Sequence, residues 1–243
     1  MIPTFLRSSL LRPLEMLFTE LIVGLVCLYA GFNFGLIYAF VIVMPDIFAQ
    51  TYQFSLTQQG LSFLGLIAGW LIGPASLIID DKIVRRRRAR QQPGPNLEKG
   101  PDLTSKPAPE ARLHGAMVGG VLLPAGLLWF AWTAQPGISY LSPILASILI
   151  TWGTLMVYVS TSAYVIDVYG LRYGASANGA SSITRYTLAT AIPLFILQQY
   201  DGLGTAWGTS LLALCALILM PIPFLFFRWG PTLWARCKFK TES

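Results

Sequence analysis

The 243-residue chain is 54% hydrophobic and 12% charged, and its mean hydropathy is +0.60. Roughly a quarter of the residues in soluble domains are charged, so this composition excludes an ordinary soluble domain and predicts a membrane protein. The net charge of +6 would suit nucleic acid, but eight of the seventeen Lys and Arg residues lie within Lys82–Lys106 beside an apolar stretch, which favours membrane anchoring and no nucleic-acid partner.

Two apolar stretches in the first third of the chain are long enough to cross a lipid bilayer. About twenty apolar residues cover the ~30 Å of hydrocarbon, and Leu21–Met44 and Gly60–Ile79 satisfy that length. Residues 1–20 include an amphipathic Arg12–Glu20 and have no cleavage-like end to a short apolar core, so we predict a cytoplasmic interfacial segment rather than a cleaved signal peptide. Residues 21–79 are therefore assigned to spans 1 and 2.

A polar stretch, residues 80–116, separates span 2 from the rest of the chain. Its tract Gln91–Pro109 is rich in Pro, Gly and charge, so it cannot bury apolar surface and predicts a flexible cytoplasmic loop. Five arginines follow closely after span 2, and we interpret them as topology anchors. The alternative is a six-span scaffold or regulatory protein whose basic loop binds anionic lipid or a cytoplasmic partner. The five are Arg85, Arg86, Arg87, Arg88 and Arg90.

Four further spans are predicted within residues 117–227, followed by a basic cytoplasmic tail, 228–243. The fifth span reaches a spanning length only by taking Arg185 into the membrane. The spans are predicted at Met117–Thr133, Tyr140–Val165, Ala175–Leu197 and Thr205–Phe227. The fold class is therefore an all-α transmembrane six-helix bundle in contact with the lipid bilayer.

The distribution of basic residues predicts the orientation of the bundle. Three loops would lie outside, at about Pro45–Gln59, Ala134–Ile138 and Gln198–Gly204, and they contain no Lys or Arg. Cytoplasmic loops carry the excess of basic residues. We therefore predict a multi-pass protein of the plasma membrane with both termini in the cytoplasm.

The side chains that enzymes and metal sites need are scarce in this chain. His114 is the only histidine, and the carboxylates fall in loops or at helix ends, so no catalytic or metal constellation can be assembled. Cys27, Cys215 and Cys237 lack paired spacing. There is no phosphate-binding glycine loop. We predict a non-enzyme without cofactor or metal.

Polar residues inside the spans are the candidates for a substrate cavity. In span 5, Arg185 shares a helix face with Ser182, and it either lines a substrate or proton path or snorkels or ties two helices together. Spans 1 and 4 contribute residues at helical-neighbour spacing. The candidate cavity residues are Tyr29, Asn33, Tyr158, Thr161, Ser162 and Arg185.

Small residues recur along several spans, as in Gly65, Ala68, Gly69 and Gly73 of span 2. Small faces of this kind let helices approach closely in lipid. We interpret them as packing surfaces rather than substrate contacts.

Several stretches of the chain resemble one family of transporters. They are RPLEMLFTELIV with LYAGFNFGLIY, SLTQQGLSFLGLIAGWLIG, PEARLHGAMVGGVLLPAGLLWFAWTA, YVIDVYG with SANGA, and AIPLFILQQYDGLGTAWGTSLLALCALILMPIPFLFFRWG. The most specific are PEARL before GGVLLPAGLLWFAW and AIPLF before QQYDGLG. These segments resemble the C-terminal half of fungal major facilitator superfamily transporters of the drug:proton antiporter type, including the polyamine-transporter-like branch.

The resemblance implies that the six spans correspond to the seventh through twelfth of a twelve-span carrier, arranged as two three-helix repeats. It implies proton-coupled export of small organic molecules such as drugs, toxins or polyamines. Such carriers hold substrate between two bundles that rock against each other, and this chain has one. The resemblance therefore leaves three readings open: a homodimer, a partner supplying the N-terminal half, or a truncated product that is inactive alone.

Overall fold

The computed structural model describes residues 11–91 and 112–235, with the side chains of 81, 84–91, 171–172 and 231–235 left out. The described residues form helices joined by short turns. These helices are α1 (Arg12–Thr19), α2 (Leu21–Tyr52), α3 (Leu56–Ser62), α4 (Leu64–Gln91), α5 (Leu113–Thr133), α6 (Leu141–Leu219) and α7 (Pro221–Ala235).

Five stretches in this part of the chain are helical, long and apolar enough to cross a membrane. The first four are Leu21–Tyr52, Leu56–Asp80, Leu113–Thr133 and Leu141–Gly170, and we number them spans 1 to 4. The fifth, Tyr173–Gly230, has 58 residues and is broken at Gly204, where the backbone is not helical. We therefore number residues 173–203 span 5 and 205–230 span 6. The predicted all-α transmembrane fold is confirmed.

Hydrogen bonds and ion pairs show which helix ends meet. The Tyr52 hydroxyl donates to the carbonyl of Thr133 at 3.1 Å, joining the ends of spans 1 and 3. At the opposite end, Arg112 pairs with Asp167 at 3.0 Å. We call these the Gly204 end and the Gly170 end of the bundle, after the glycines that join span 5 to span 6 and span 4 to span 5.

Span 1 continues past the point where the sequence placed a loop. The loop was predicted from Pro45, yet α2 runs on to Tyr52. Ile47 and Phe48 are buried in the core of the Gly204 end, so packing of this last part of the helix outweighs the hydrogen bond that proline removes. The helix ends at Gln53, whose φ of 56° is left-handed.

The loop predicted at residues 80–116 is helical at both ends. Helix α4 continues to Gln91, and α5 begins at Leu113. Residues 92–111 lie outside the described residues. The side chains of the predicted topology anchors, from Arg85 to Arg90, also lie outside the described side chains, so their role stays a prediction.

Glycines set the closest helix–helix contacts, as the small-residue spacing predicted. A Cβ at Gly69 would lie 2.5 Å from the Ile148 carbonyl oxygen of span 4, and one at Gly119 would lie 2.5 Å from the carbonyl oxygen of Gly153. Span 1 meets span 5 in the same way through Gly35, where a Cβ would lie 2.5 Å from Ile192 Cδ1. In lipid the hydrophobic effect does not drive helices together. Helices whose backbones approach this closely are instead stabilised by the dispersion contacts between them.

The Arg112–Asp167 pair should contribute little to stability. Both side chains are partly open, at 40% and 27% exposure, and solvent-accessible ion pairs contribute only about 0.2–1 kcal/mol. We expect Asp167→Asn to lower the melting temperature of the purified protein by no more than a few degrees. The control is Asp201→Asn, because Asp201 is exposed and the change removes the same charge. A larger loss at Asp167 alone would show that the pair locks spans 3 and 4 together.

Candidate substrate-facing site

The six candidate residues separate into two groups on opposite sides of span 1. Gly31 and Gly35 face span 5. Tyr29 and Asn33 are each two residues from Gly31, which corresponds to about 200° around a helix. They therefore point away from span 5, where Arg185 lies. The structure does not bring all six side chains around one cavity.

Tyr29 and Asn33 lie in a closed interior between spans 1, 3 and 6. Both are 1% exposed. A Cβ at Gly120 of span 3 would lie 2.8 Å from Tyr29 Oη and 3.7 Å from Met220 Cγ of span 6. Asn33 Nδ2 donates to the Tyr29 carbonyl at 2.6 Å, whereas Asn33 Oδ1 and Tyr29 Oη have no hydrogen-bond partner. Each unmet buried group costs about 1–3 kcal/mol.

The two hydroxyl candidates of span 4 differ in their availability to a ligand. Thr161 is buried, and its Oγ1 donates to the Val157 carbonyl at 2.7 Å. Its hydrogen atom is therefore already used within its own helix. Ser162 is half-buried one position further along.

Arg185 and Tyr158 are in direct contact and form the centre of the second group. The guanidinium Cζ lies 4.5 Å from the centre of the Tyr158 ring and 5.4 Å from that of Phe34. Nη2 of Arg185 donates to Ser182 Oγ at 2.9 Å. Three spans, 1, 4 and 5, thus converge on one guanidinium group. We call Arg185, Tyr158, Phe34 and Ser182 the arginine cluster.

The arginine cluster lies deep in the bundle. Phe34 is thirteen residues from Leu21, Tyr158 is twelve from Gly170 and Arg185 is twelve from Tyr173. At about 1.5 Å per residue, all three lie about 18–20 Å from the Gly170 end. Arg185 therefore lies in the middle part of span 5, away from both of its ends. Its contacts with rings of spans 1 and 4 fit the predicted tie between helices.

The two rings offset the charge of Arg185 but leave its hydrogen bonding incomplete. An arginine at the centre of a membrane helix costs about 3 kcal/mol on insertion scales, and two desolvated cation–π contacts return about 1–4 kcal/mol. Nε is nevertheless buried without a hydrogen-bond acceptor. Among the described side chains, no carboxylate forms an ion pair with Arg185: Asp167 pairs with Arg112, and Asp80 Oδ1 lies 3.6 Å from His114 Nδ1. Nε of Arg185 therefore lacks a hydrogen-bond acceptor.

A strip of exposed polar and aromatic side chains continues from the arginine cluster. The Tyr38 ring centre lies 5.2 Å from that of Phe34, and the Tyr186 ring centre lies 5.9 Å from it. Tyr38 is 43% exposed and Tyr186 is 61% exposed. Thr187 and Thr190 are exposed on the same helix. We call Tyr38, Tyr186, Thr187 and Thr190 the polar strip. Its hydroxyl-bearing side chains differ from the exposed side chains of spans 2 and 6, most of which are leucine, isoleucine and tryptophan.

Sequence reasoning missed Phe34 and Tyr186 as members of this site. Phe34 is apolar, so a search for polar residues passes over it, and Tyr186 is adjacent to Arg185 but points out of the bundle. Phe34 and Tyr38 are four residues apart, a spacing that puts them on one helix face. Two aromatics at that spacing in one span, with an arginine in another, are a usable signal for a cation–π site.

The chain is similar to fungal efflux pumps over nearly all of its length. It is 35% identical over 238 residues to Efflux pump FUB11 of Gibberella moniliformis, which is 98% of this chain and 38% of that protein. It is 35% identical over 237 residues to MFS-type efflux pump MFS2 of Trichophyton rubrum, again 98% and 38%. It is 34% identical over 244 residues to Citrinin biosynthesis cluster MFS transporter ctnC of Monascus purpureus, 99% and 44%.

The chain thus spans about two fifths of the length of these curated relatives, all three of which are named as pumps or transporters rather than enzymes. No protein-family model matches it. Identity near 35% across the entire bundle, together with the apolar spanning helices, confirms the resemblance that the motifs indicated: this chain is a multi-pass membrane protein homologous to the fungal efflux pumps and transporters of the major facilitator superfamily.

Proposed function

We propose that this chain forms the C-terminal bundle of a proton-coupled major facilitator carrier that exports small organic molecules from a fungal cell. The observation that supports this most directly is the arginine cluster with its polar strip. The hydroxyls of Thr187 and Thr190 donate to carbonyls of their own helix, but the exposed phenol groups of Tyr38 and Tyr186 beside a charged residue are poorly suited to lipid tails. They suit a water-filled path or a second bundle.

The occupant of that face, on this proposal, is a second six-helix bundle, and substrate binds between the two. Carriers of this architecture bind substrate near the midplane at the interface of their repeats. The depth of Arg185, Tyr158 and Phe34 matches such a position. The names of the relatives, which include efflux pumps and a transporter of a biosynthesis cluster, support export of small organic molecules.

A chimaeric carrier tests the proposal. The segment of FUB11 that matches this chain is replaced by this chain, and the product is expressed in a yeast strain lacking its own drug pumps. We expect the chimaera to lower the cellular content of substrates that FUB11 itself exports, and we expect a protonophore to abolish the effect because export would draw on the proton gradient.

Two controls make the result decisive. The first is FUB11 with the same segment deleted, which should export nothing. The second is the chimaera with Arg228→Gln, a substitution at an exposed arginine near the end of span 6, which should export normally. A chimaera that reaches the membrane in the amount of FUB11 but exports no substrate of FUB11 would contradict the proposal, and export that survives the protonophore would contradict proton coupling.

A further inference from the structure

We propose that the arginine cluster is a binding site for an organic anion, specifically the carboxylate of a substrate with an aromatic or other flat apolar body. This inference rests on the proposed function and names its substrate class. It rests on three features of the described residues: an unmet hydrogen-bond donor, the distribution of charge along the spans, and the arrangement of rings.

The donor is Nε of Arg185. It is buried and has no acceptor, while Nη2 is held by Ser182 Oγ at 2.9 Å. Ser182 Oγ lies 3.1 Å from the Asn178 carbonyl and donates to it, so the hydroxyl oxygen is free to accept from the guanidinium and fixes its position. A guanidinium presents its N–H groups as a planar fork that matches a carboxylate bidentately. The guanidinium is therefore fixed in position, but its Nε–H lacks a hydrogen-bond acceptor, and the oxygen of a carboxylate would supply one.

The charge distribution favours an anion over a cation. The described carboxylates lie toward the ends of the spans or outside them, whereas Arg185 lies deep in the bundle beside aromatic rings. These carboxylates are Glu15, Glu20, Asp46, Asp80, Asp167 and Asp201. A polyamine would meet an uncompensated positive charge at this depth and no carboxylate of this bundle. An anion would meet an opposite charge in a medium of low dielectric constant, where that attraction is strongest.

The rings select the body of the substrate. Phe34 forms an edge-on contact with Tyr186 at 5.9 Å and a tilted contact with Tyr38 at 5.2 Å, and both tyrosines are exposed. A flat apolar group whose carboxylate lies on Arg185 would reach these rings, which prefer offset or edge-on packing with another aromatic. The site therefore combines one charge-specific contact with a broad apolar surface.

A binding measurement on the purified full chain in nanodiscs tests the site without requiring transport. The probes are 2-naphthoate, the neutral 2-naphthamide and the cationic 2-naphthylmethylammonium ion, which share one ring system. At pH 7.5 the carboxylate is ionised. We expect the dissociation constant of 2-naphthoate to be at least about tenfold lower than that of the amide, as charge-assisted hydrogen bonds give, and the cation to bind most weakly.

Variants of Arg185 decide whether this residue is the cause. Arg185→Gln should make 2-naphthoate and 2-naphthamide bind equally, Arg185→Lys should keep part of the preference, and Arg228→Gln should leave it unchanged because that arginine is exposed near the end of span 6. Circular dichroism checks that each variant is folded. A wild-type chain that binds 2-naphthoate no better than 2-naphthamide would overturn the site, and so would an Arg185→Gln variant that keeps the preference. An Arg185→Gln variant that binds both probes more weakly by the same factor would also overturn it, because Arg185 would then only hold the helices together.

The outcome is separable from that of the chimaera. If the chimaera exports but the chain in nanodiscs shows no anion preference, only the substrate class is overturned. An anion preference in nanodiscs with a chimaera that exports nothing would overturn only the proposed transport.

Discussion

Gly69→Ala should destabilise the bundle strongly, although alanine is the better helix former. The added Cβ would clash with Thr151 Oγ1 and lie 2.5 Å from the carbonyl oxygen of Ile148. The threonine can rotate, but a backbone carbonyl within a helix cannot, so spans 2 and 4 must separate. Overpacking of this kind costs typically about 1–3 kcal/mol, and separating two helices along Gly65, Gly69 and Gly73 places the effect at the upper end. A lower melting temperature and a smaller monodisperse fraction in detergent would report it.

The matched control is Gly60→Ala in α3, close to the start of span 2. A Cβ there meets no atom within 4 Å, so only the helix propensity changes, which favours alanine by up to about 1 kcal/mol. We expect Gly60→Ala to be neutral or slightly stabilising. If the two variants melted at the same temperature, spans 2 and 4 would not be in the close contact that the structure describes.

Hydropathy was sufficient to predict which segments form helices long and apolar enough to cross a membrane, because it depends on each segment alone. Leu21 begins the first span, as predicted. Gly204 interrupts the helix within residues 198–204, where the sequence predicted an outer loop. The end of span 1 was predicted less well. Pro45 is a strong local signal for a loop, but the burial of Ile47 and Phe48 in the core is a tertiary effect that no local pattern contains.

The site was predicted as a set of polar residues, and the structure divides that set. Periodicity gives the residues that share a face of one helix, but which faces of different helices meet depends on where their backbones approach. Gly31 and Gly35 turn one side of span 1 toward span 5, and this places Tyr29 on the far side. The partners of Arg185 could not be derived from span 5 alone, because Phe34 and Tyr158 come from two other spans.

Gly204→Ala should be costly for a different reason, since the space around this residue is open. The backbone of Gly204 has φ 72° and ψ 171°, a combination that is essentially restricted to glycine and costs other residues about 1–3 kcal/mol. This conformation ends span 5 and allows span 6 to return across the membrane. Two contacts hold the reversal: Gln199 Nε2 donates to the Gly208 carbonyl at 2.9 Å, and the hydroxyls of Tyr200 and Thr209 lie 2.7 Å apart.

Gly202→Ala provides the comparison, because Gly202 also has nothing within 4 Å of an added Cβ but has no left-handed φ. We expect Gly202→Ala to leave the melting temperature unchanged or raised, and Gly204→Ala to lower it by several degrees, as a change of about 1–3 kcal/mol does in a protein of this size. A cysteine introduced at Thr205, next to the break, should also change its reactivity toward a membrane-impermeant maleimide in Gly204→Ala alone. Equal melting temperatures and equal labelling would mean that alanine is accommodated there, and that the reversal between spans 5 and 6 does not depend on the left-handed glycine.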